Sequence, residues 1–211
     1  HEFDPESTAY NMAAAVRLEG RVDVDALERT FNEIIRRHES LRTSFTTIDD
    51  ELMQIVVPEQ QLRIEQLDLS DVPEHEREDL IRAEIRCASE RPFDLERNEA
   101  LRISLLHLSV EESIMIVVMN HINSDGWSIG VLVREMVALY EAFIRGESSP
   151  LPELEVQYLD FAQWQKEWLT ETVLQEQLDY WKETLGGRLP VLELPGDGPR
   201  PGRRTFEGAN E

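Results

Sequence analysis

Cysteine is nearly missing: Cys87 is the one thiol in 211 residues. That excludes an internal disulfide and any metal site built on several thiolates. Basic residues are scarce too, with Lys and Arg numbering 21 against 43 Asp and Glu, for a net charge of −22. A surface this acidic repels phosphate backbones and anionic lipid, which speaks against nucleic acid or a membrane as partner. No apolar run is long enough to span a bilayer, and the first residues lack the basic-then-apolar pattern of a secretory signal. No glycine-rich phosphate loop follows an apolar run, the five histidines show no zinc spacing, and there is neither an internal repeat nor a low-complexity stretch. These absences lead to the expectation of a cytoplasmic protein without metal or nucleotide. Cys87, inside a helical pattern, is expected to be a small buried hydrophobe. The chain opens on His1-Glu2-Phe3 rather than Met and is expected to be a piece of a longer one.

What is present alternates between strand and helix patterns. Residues 10–18 read as a strand closed by Glu19-Gly20. Residues 24–36 read as a helix capped by Asp23, with Leu27, Phe31, Ile34 and Ile35 on one face. Short strands are predicted at 41–47 and 52–57 around Asp49-Asp50, and a weaker one at 63–69. Pro73 opens a predicted helix to about residue 91, with Leu80, Ile81, Ile85 and Ala88 as its apolar face and Glu74, Glu76, Glu78 and Asp79 in solvent. Residues 101–110 and 113–119 are apolar strands joined at Glu111-Glu112, a hairpin. Helices are predicted at about 128–145 and 160–185, the second with its stripe of Phe161, Trp164 and Trp168 in a core. Residues 186–211 are rich in Gly and Pro and read as an extended segment. Mixed strands and helices with adjacent hairpins point to an α+β two-layer sandwich in residues 1–185.

The most informative stretch is Asn120-His121-Ile122-Asn123-Ser124-Asp125-Gly126-Trp127-Ser128, directly after the apolar run 113–119. A strand apolar on both faces is buried. A histidine at its mouth, an acid four residues on and a glycine at the turn aim an imidazole into a cleft. The acid so close to a helix start is expected to sit in a buried ion pair that fixes the loop, and Ser128 to cap the following helix. His38 is expected to close a helix and His107 to pack in a strand. Ser124 and Ser128 lack the second base that a serine hydrolase would need.

Three stretches carry a family resemblance. Arg37-His38-Glu39-Ser40-Leu41-Arg42-Thr43-Ser44-Phe45, the central stretch His121 to Ser128, and Tyr158-Leu159-Asp160-Phe161-Ala162-Gln163-Trp164 resemble, in order, three motifs of the condensation domains of nonribosomal peptide synthetases, members of the chloramphenicol-acetyltransferase-like superfamily. The resemblance implies a chloramphenicol-acetyltransferase-like N-terminal lobe with a mixed, largely antiparallel sheet. It implies amide bond formation between a carrier-bound acyl or peptidyl thioester and a carrier-bound aminoacyl amine. His121 carries the central role, and Gly126 lets the loop approach the helix with its N–H near the thioester. Arg42, with Arg37 as the alternate, is the implied partner of Asp125. Asn120, Trp127 and Ser128 support the site. The family has a second histidine where this chain has Asn120, and asparagine replaces one imidazole hydrogen bond but carries no charge.

By the same resemblance the domain needs no cofactor of its own, since substrates arrive on phosphopantetheine arms. Its implied partners are upstream and downstream peptidyl carrier domains, an adenylation domain of the parent chain, and a C-terminal lobe beyond residue 211, to which 186–211 would lead. The isolated lobe is expected to be nearly inactive and prone to self-association through its uncovered interface. Two alternatives stay open. One is an epimerization or other tailoring member of the same fold. The other is a non-catalytic module that docks carrier proteins.

Overall fold

The computed structural model describes residues 7–58, 61–97, 99–188 and 190. The predicted extension at 186–211 falls almost wholly outside these residues. The described chain divides into two compact units, one up to Leu159 and one from Asp160.

The first unit is built on a four-stranded sheet. Strands β1 (Asn11–Glu19), β4 (Glu65–Asp68), β5 (Leu101–Ser109) and β6 (Glu112–Asn120) lie in the order β1-β6-β5-β4. The β5–β6 hairpin and the β1–β6 pair are antiparallel, and β4 joins β5 in parallel, so the mixed, largely antiparallel sheet expected from the sequence is the one that forms. Strands β2 (Thr43–Ile48) and β3 (Glu51–Val56) form a separate hairpin. Its two turn residues, Asp49 and Asp50, both take positive φ (50° and 64°), as a tight two-residue hairpin turn requires.

The central strands are apolar on both faces because both are covered. Leu101, Ile103, Leu105, Met115 and Met119 point to one side, where Phe31 and Ile34 of α1 (Val24–Arg37) and Leu139 of α3 (Gly126–Ile144) pack on them. Leu106, Leu108, Ile114, Ile116 and Val118 point to the other, against Ile81 of α2 (Glu74–Ser89) and Phe93. The period of two along β6 therefore separates two cores, not a core from water. Asp23 caps α1 as predicted, its carboxylate accepting from the Ala26 N–H at 2.9 Å.

Several expectations change. Residues 39–42 form a 3₁₀ turn before β2, so the strand predicted from 41 starts at Thr43. Pro73 is the residue before α2, and α3 begins two residues earlier than predicted. Cys87 is exposed, because only a narrow stripe of α2 around Ile81 faces the sheet, and Leu80 is turned to solvent as well. The long predicted helix is two: α4 (Tyr158–Trp168) and α5 (Glu171–Thr184), separated where the Thr170 hydroxyl caps α5 by accepting from Val173 N–H. Trp164 stacks on Trp168 with centroids 5.9 Å apart and lies 5.6 Å from Phe161. All three rings are about half exposed rather than in a core.

Candidate active site

The end of β6 fixes the start of the site. Asn120 is buried at the strand's last position, paired with Asn11 of β1. There the sequence stops being apolar and the chain turns on its own polar groups. The Asn120 side-chain oxygen accepts from Ile122 N–H at 3.0 Å. Its backbone carbonyl accepts from Asn123 N–H and from the Ser124 hydroxyl, both at 3.1 Å. The His121 N–H donates to Tyr10 O at 2.8 Å, beside the start of β1. On the opposite flank Asn123 Nδ2 donates to Ser40 O at 2.6 Å, tying the turn to the 3₁₀ turn after α1. Asn123 and Ser124 are buried, whereas His121 and Ile122 project outwards. The imidazole thus sits on an open surface, on a backbone held from three directions. Next to the turn is a hollow of about 130 Å³ lined by Ile34, Leu41, Met119, Trp127 and Val131 and by the polar His38, Ser40, Asn123 and Ser124.

Asp125 does not make the expected ion pair. It caps α3: Oδ1 accepts from Ser128 N–H at 2.8 Å and from the Ser128 hydroxyl at 2.7 Å, and Asp125 N–H donates back to that hydroxyl at 3.3 Å. This is a capping box with Asp125, not Ser128, at the cap position. The backbone N–H of Ser128, then its hydroxyl, the Trp127 N–H and the charge of His121 hold the Asp125 carboxyl below its ordinary range. The acid is exposed.

The two candidate arginines are engaged elsewhere. Arg37, 3% exposed, places its guanidinium on Glu135 at 3.3 Å and donates to Pro152 O at 2.8 Å. His38 Nε2 meets the same Glu135 carboxylate at 2.8 Å. Arg42 donates to Glu39 at 3.1 Å and to Val57 O at 3.0 Å. The physical reason is helix geometry. Asp125 precedes the first turn of α3, where its own helix's free N–H groups claim the carboxylate. Glu135 lies three turns in, on the face packed against α1, where the cations are. Burial pushes the Glu135 carboxyl up, but the hydrogen bonds and charges of Arg37 and His38 outweigh this and leave it lowered.

Gly126 is the first residue of α3, and a β-carbon there would meet nothing within 4 Å, so no close approach of loop to helix demands glycine. Trp127 is 83% exposed. Asn120 ends β6, His121 lies on the turn, and Asp125, Gly126, Trp127 and Ser128 form the start of α3, whereas the expected approach of Arg37 and Arg42 to Asp125 does not occur. Asn123 and Glu135 were not foreseen. A run of Asn and Ser in a turn after a buried strand was a usable signal for Asn123; nothing local marked Glu135. Among the described residues no group of three His, Cys, Asp or Glu is placed to hold a metal ion, and no helix is long and apolar enough to cross a membrane.

Comparison with known proteins gives the family. The family model for the Condensation domain matches residues 1–211. A linear gramicidin synthase chain of Brevibacillus parabrevis is 43% identical over 208 residues, covering 97% of this chain and 3% of that protein. Bacitracin synthase 2 of Bacillus licheniformis is 39% identical, covering 99% of this chain and 7% of that protein. Among solved structures, the X-domain from teicoplanin biosynthesis superposes with a TM-score of 0.76 at 28% identity, over 91% of this chain and 42% of that one. The starter condensation domain of rhizomide synthetase RzmA shares the fold, with a TM-score of 0.76 at 20% identity over 92% of this chain and 47% of that chain. The chain thus spans a few per cent of the synthetases it matches and under half of each of these solved chains. Its sequence and its fold agree: the chain belongs to the condensation-domain family of nonribosomal peptide synthetases.

Proposed function

We propose that residues 1–185 are the first lobe of a condensation domain and that His121 serves amide bond formation in the parent synthetase. A carrier-bound amine attacks the carbonyl of a carrier-bound thioester; a C–N bond forms, the C–S bond breaks and the thiol departs. The amine must shed a proton, and a neutral imidazole accepts one near pH 7. The observation that carries this reading is the exposed His121 ring on a turn in which the N–H groups of His121, Ile122 and Asn123 are each hydrogen-bonded. The hollow next to the turn, lined by apolar and polar side chains, offers room for part of a substrate. Both substrates would come on phosphopantetheine arms of upstream and downstream carrier domains, in the cytoplasm, with no cofactor belonging to this lobe. Residues 186–211 would lead to the second lobe, and an adenylation domain would complete the module.

The test is His121→Ala in the full-length synthetase with both carriers loaded. Loss of product formation by at least about 10²-fold is expected, the scale of a positioned acid–base group. The 211-residue chain alone should be nearly inactive, because one lobe cannot hold two tethered substrates in attack geometry.

A docking role is the second reading, favoured by one observation: a teicoplanin X-domain, 29% identical to this chain, forms a complex with OxyB. Product formation unaffected by His121→Ala would favour that reading.

A further inference from the structure

We infer that Asn123 is the positioning residue of the site, the group that holds the His121 backbone in register through its bond to Ser40; this rests on the proposed role of His121. Three observations lead there. First, the clamp expected of Asp125 does not exist, since that carboxylate is spent on Ser128. Something else must fix the turn, because a ring on a loose loop loses the alignment that a proton transfer needs. Second, the other turn contacts are short in range: Ile122, Asn123 and Ser124 bond back to Asn120 within four residues. They shape the turn without fastening it. Among the described residues, two bonds tie residues 121–124 to chain outside the turn. One is His121 N–H to Tyr10 O, on the chain just ahead of an edge strand; the other is Asn123 Nδ2 to Ser40 O, at 2.6 Å across 83 positions of sequence. Third, Asn123 is only 9% exposed, so its bond competes with little water.

The bond also selects among residue types. It needs a donor two atoms beyond Cβ, aimed at a carbonyl. Aspartate has the same shape but presents a carboxylate oxygen to the Ser40 carbonyl oxygen, which repels it. Leucine has the size but no donor and would leave Ser40 O without this partner.

The experiment uses the full-length synthetase with loaded carriers, carrying Asn123→Asp or Asn123→Leu. We expect kcat to fall about 10²-fold with KM changed less than about twofold, because the Asn123 amide donates to Ser40 and acts on the reacting group through the turn. Amide exchange followed by mass spectrometry should speed up about tenfold in residues 121–124, with β6 and α3 unchanged. If both variants keep wild-type kcat while His121→Ala is inactive, the inference falls and the proposed function stands. Faster exchange throughout the lobe would show a merely structural residue and overturn the positioning role. Turnover that survives His121→Ala would overturn both.

Discussion

Asp125 and Glu135 sit on one helix and meet opposite fates. Asp125 is exposed and bonded to the N–H and hydroxyl of its own Ser128. Glu135 is half-buried between α1 and α3 and holds both Arg37 and His38. The buried carboxylate–guanidinium pair that the sequence suggested does exist, but a different acid makes it. A residue at a helix start answers to the local demand of unpaired N–H groups. A residue in the helix body has none of those to satisfy, so its partner is whatever the neighbouring element brings.

That contrast predicts a ranked series of effects. Glu135→Ala comes first, since it strands the nearly inaccessible Arg37 charge; unfolding in urea should show a loss of about 3–5 kcal/mol. A loss below that of an ordinary surface change would end the contrast. The pH dependence sharpens it. Because the folded-state Glu135 carboxyl is lowered, its contribution is complete above the ordinary glutamate value. It is lost as pH falls through the lowered one. Unfolding midpoints measured down that window should fall less steeply in Glu135→Gln than in the unaltered chain. Thr170→Ala removes the cap of α5 and should cost about 1 kcal/mol, read as helix content lost from residues 171–184. The smallest effect belongs to Asp125→Asn. Asparagine caps a helix about as well, so the urea midpoint should stay where it is. Asp125→Ala should cost less than Glu135→Ala. A fall as large as that of Glu135→Ala would reinstate Asp125 as a buried clamp.

Much of the fold was legible in the chain. The alternation of elements, the Asp23 cap and the 101–119 hairpin depend on patterns within a few residues of one another, and each formed within one to three residues of the expected bounds. The motif 120–128 was legible for the same reason, since a buried strand must end where Asn, His and Asp begin. The misreadings share a different cause. Cys87 and Leu80 were placed inside from helical periodicity, yet how wide a stripe α2 buries depends on how it lies on the sheet. The single helix expected at 160–185 overlooked the competition that Thr170 offers to the helical backbone. Asn123 was overlooked because its partner, Ser40, is 83 positions away.

By itself the sequence determined the strands, the helices, the turn after β6 and the residue types gathered there. Those follow from periodicity, capping and the cost of burying unpaired polar groups. Tertiary structure alone decided which acid meets Arg37, which helices cover the two faces of β5 and β6, and that His121 faces outwards over a turn fastened to Ser40. Those outcomes depend on which distant elements are brought into contact, and a short-range electrostatic or hydrogen-bonding group cannot choose its partner until packing has delivered one.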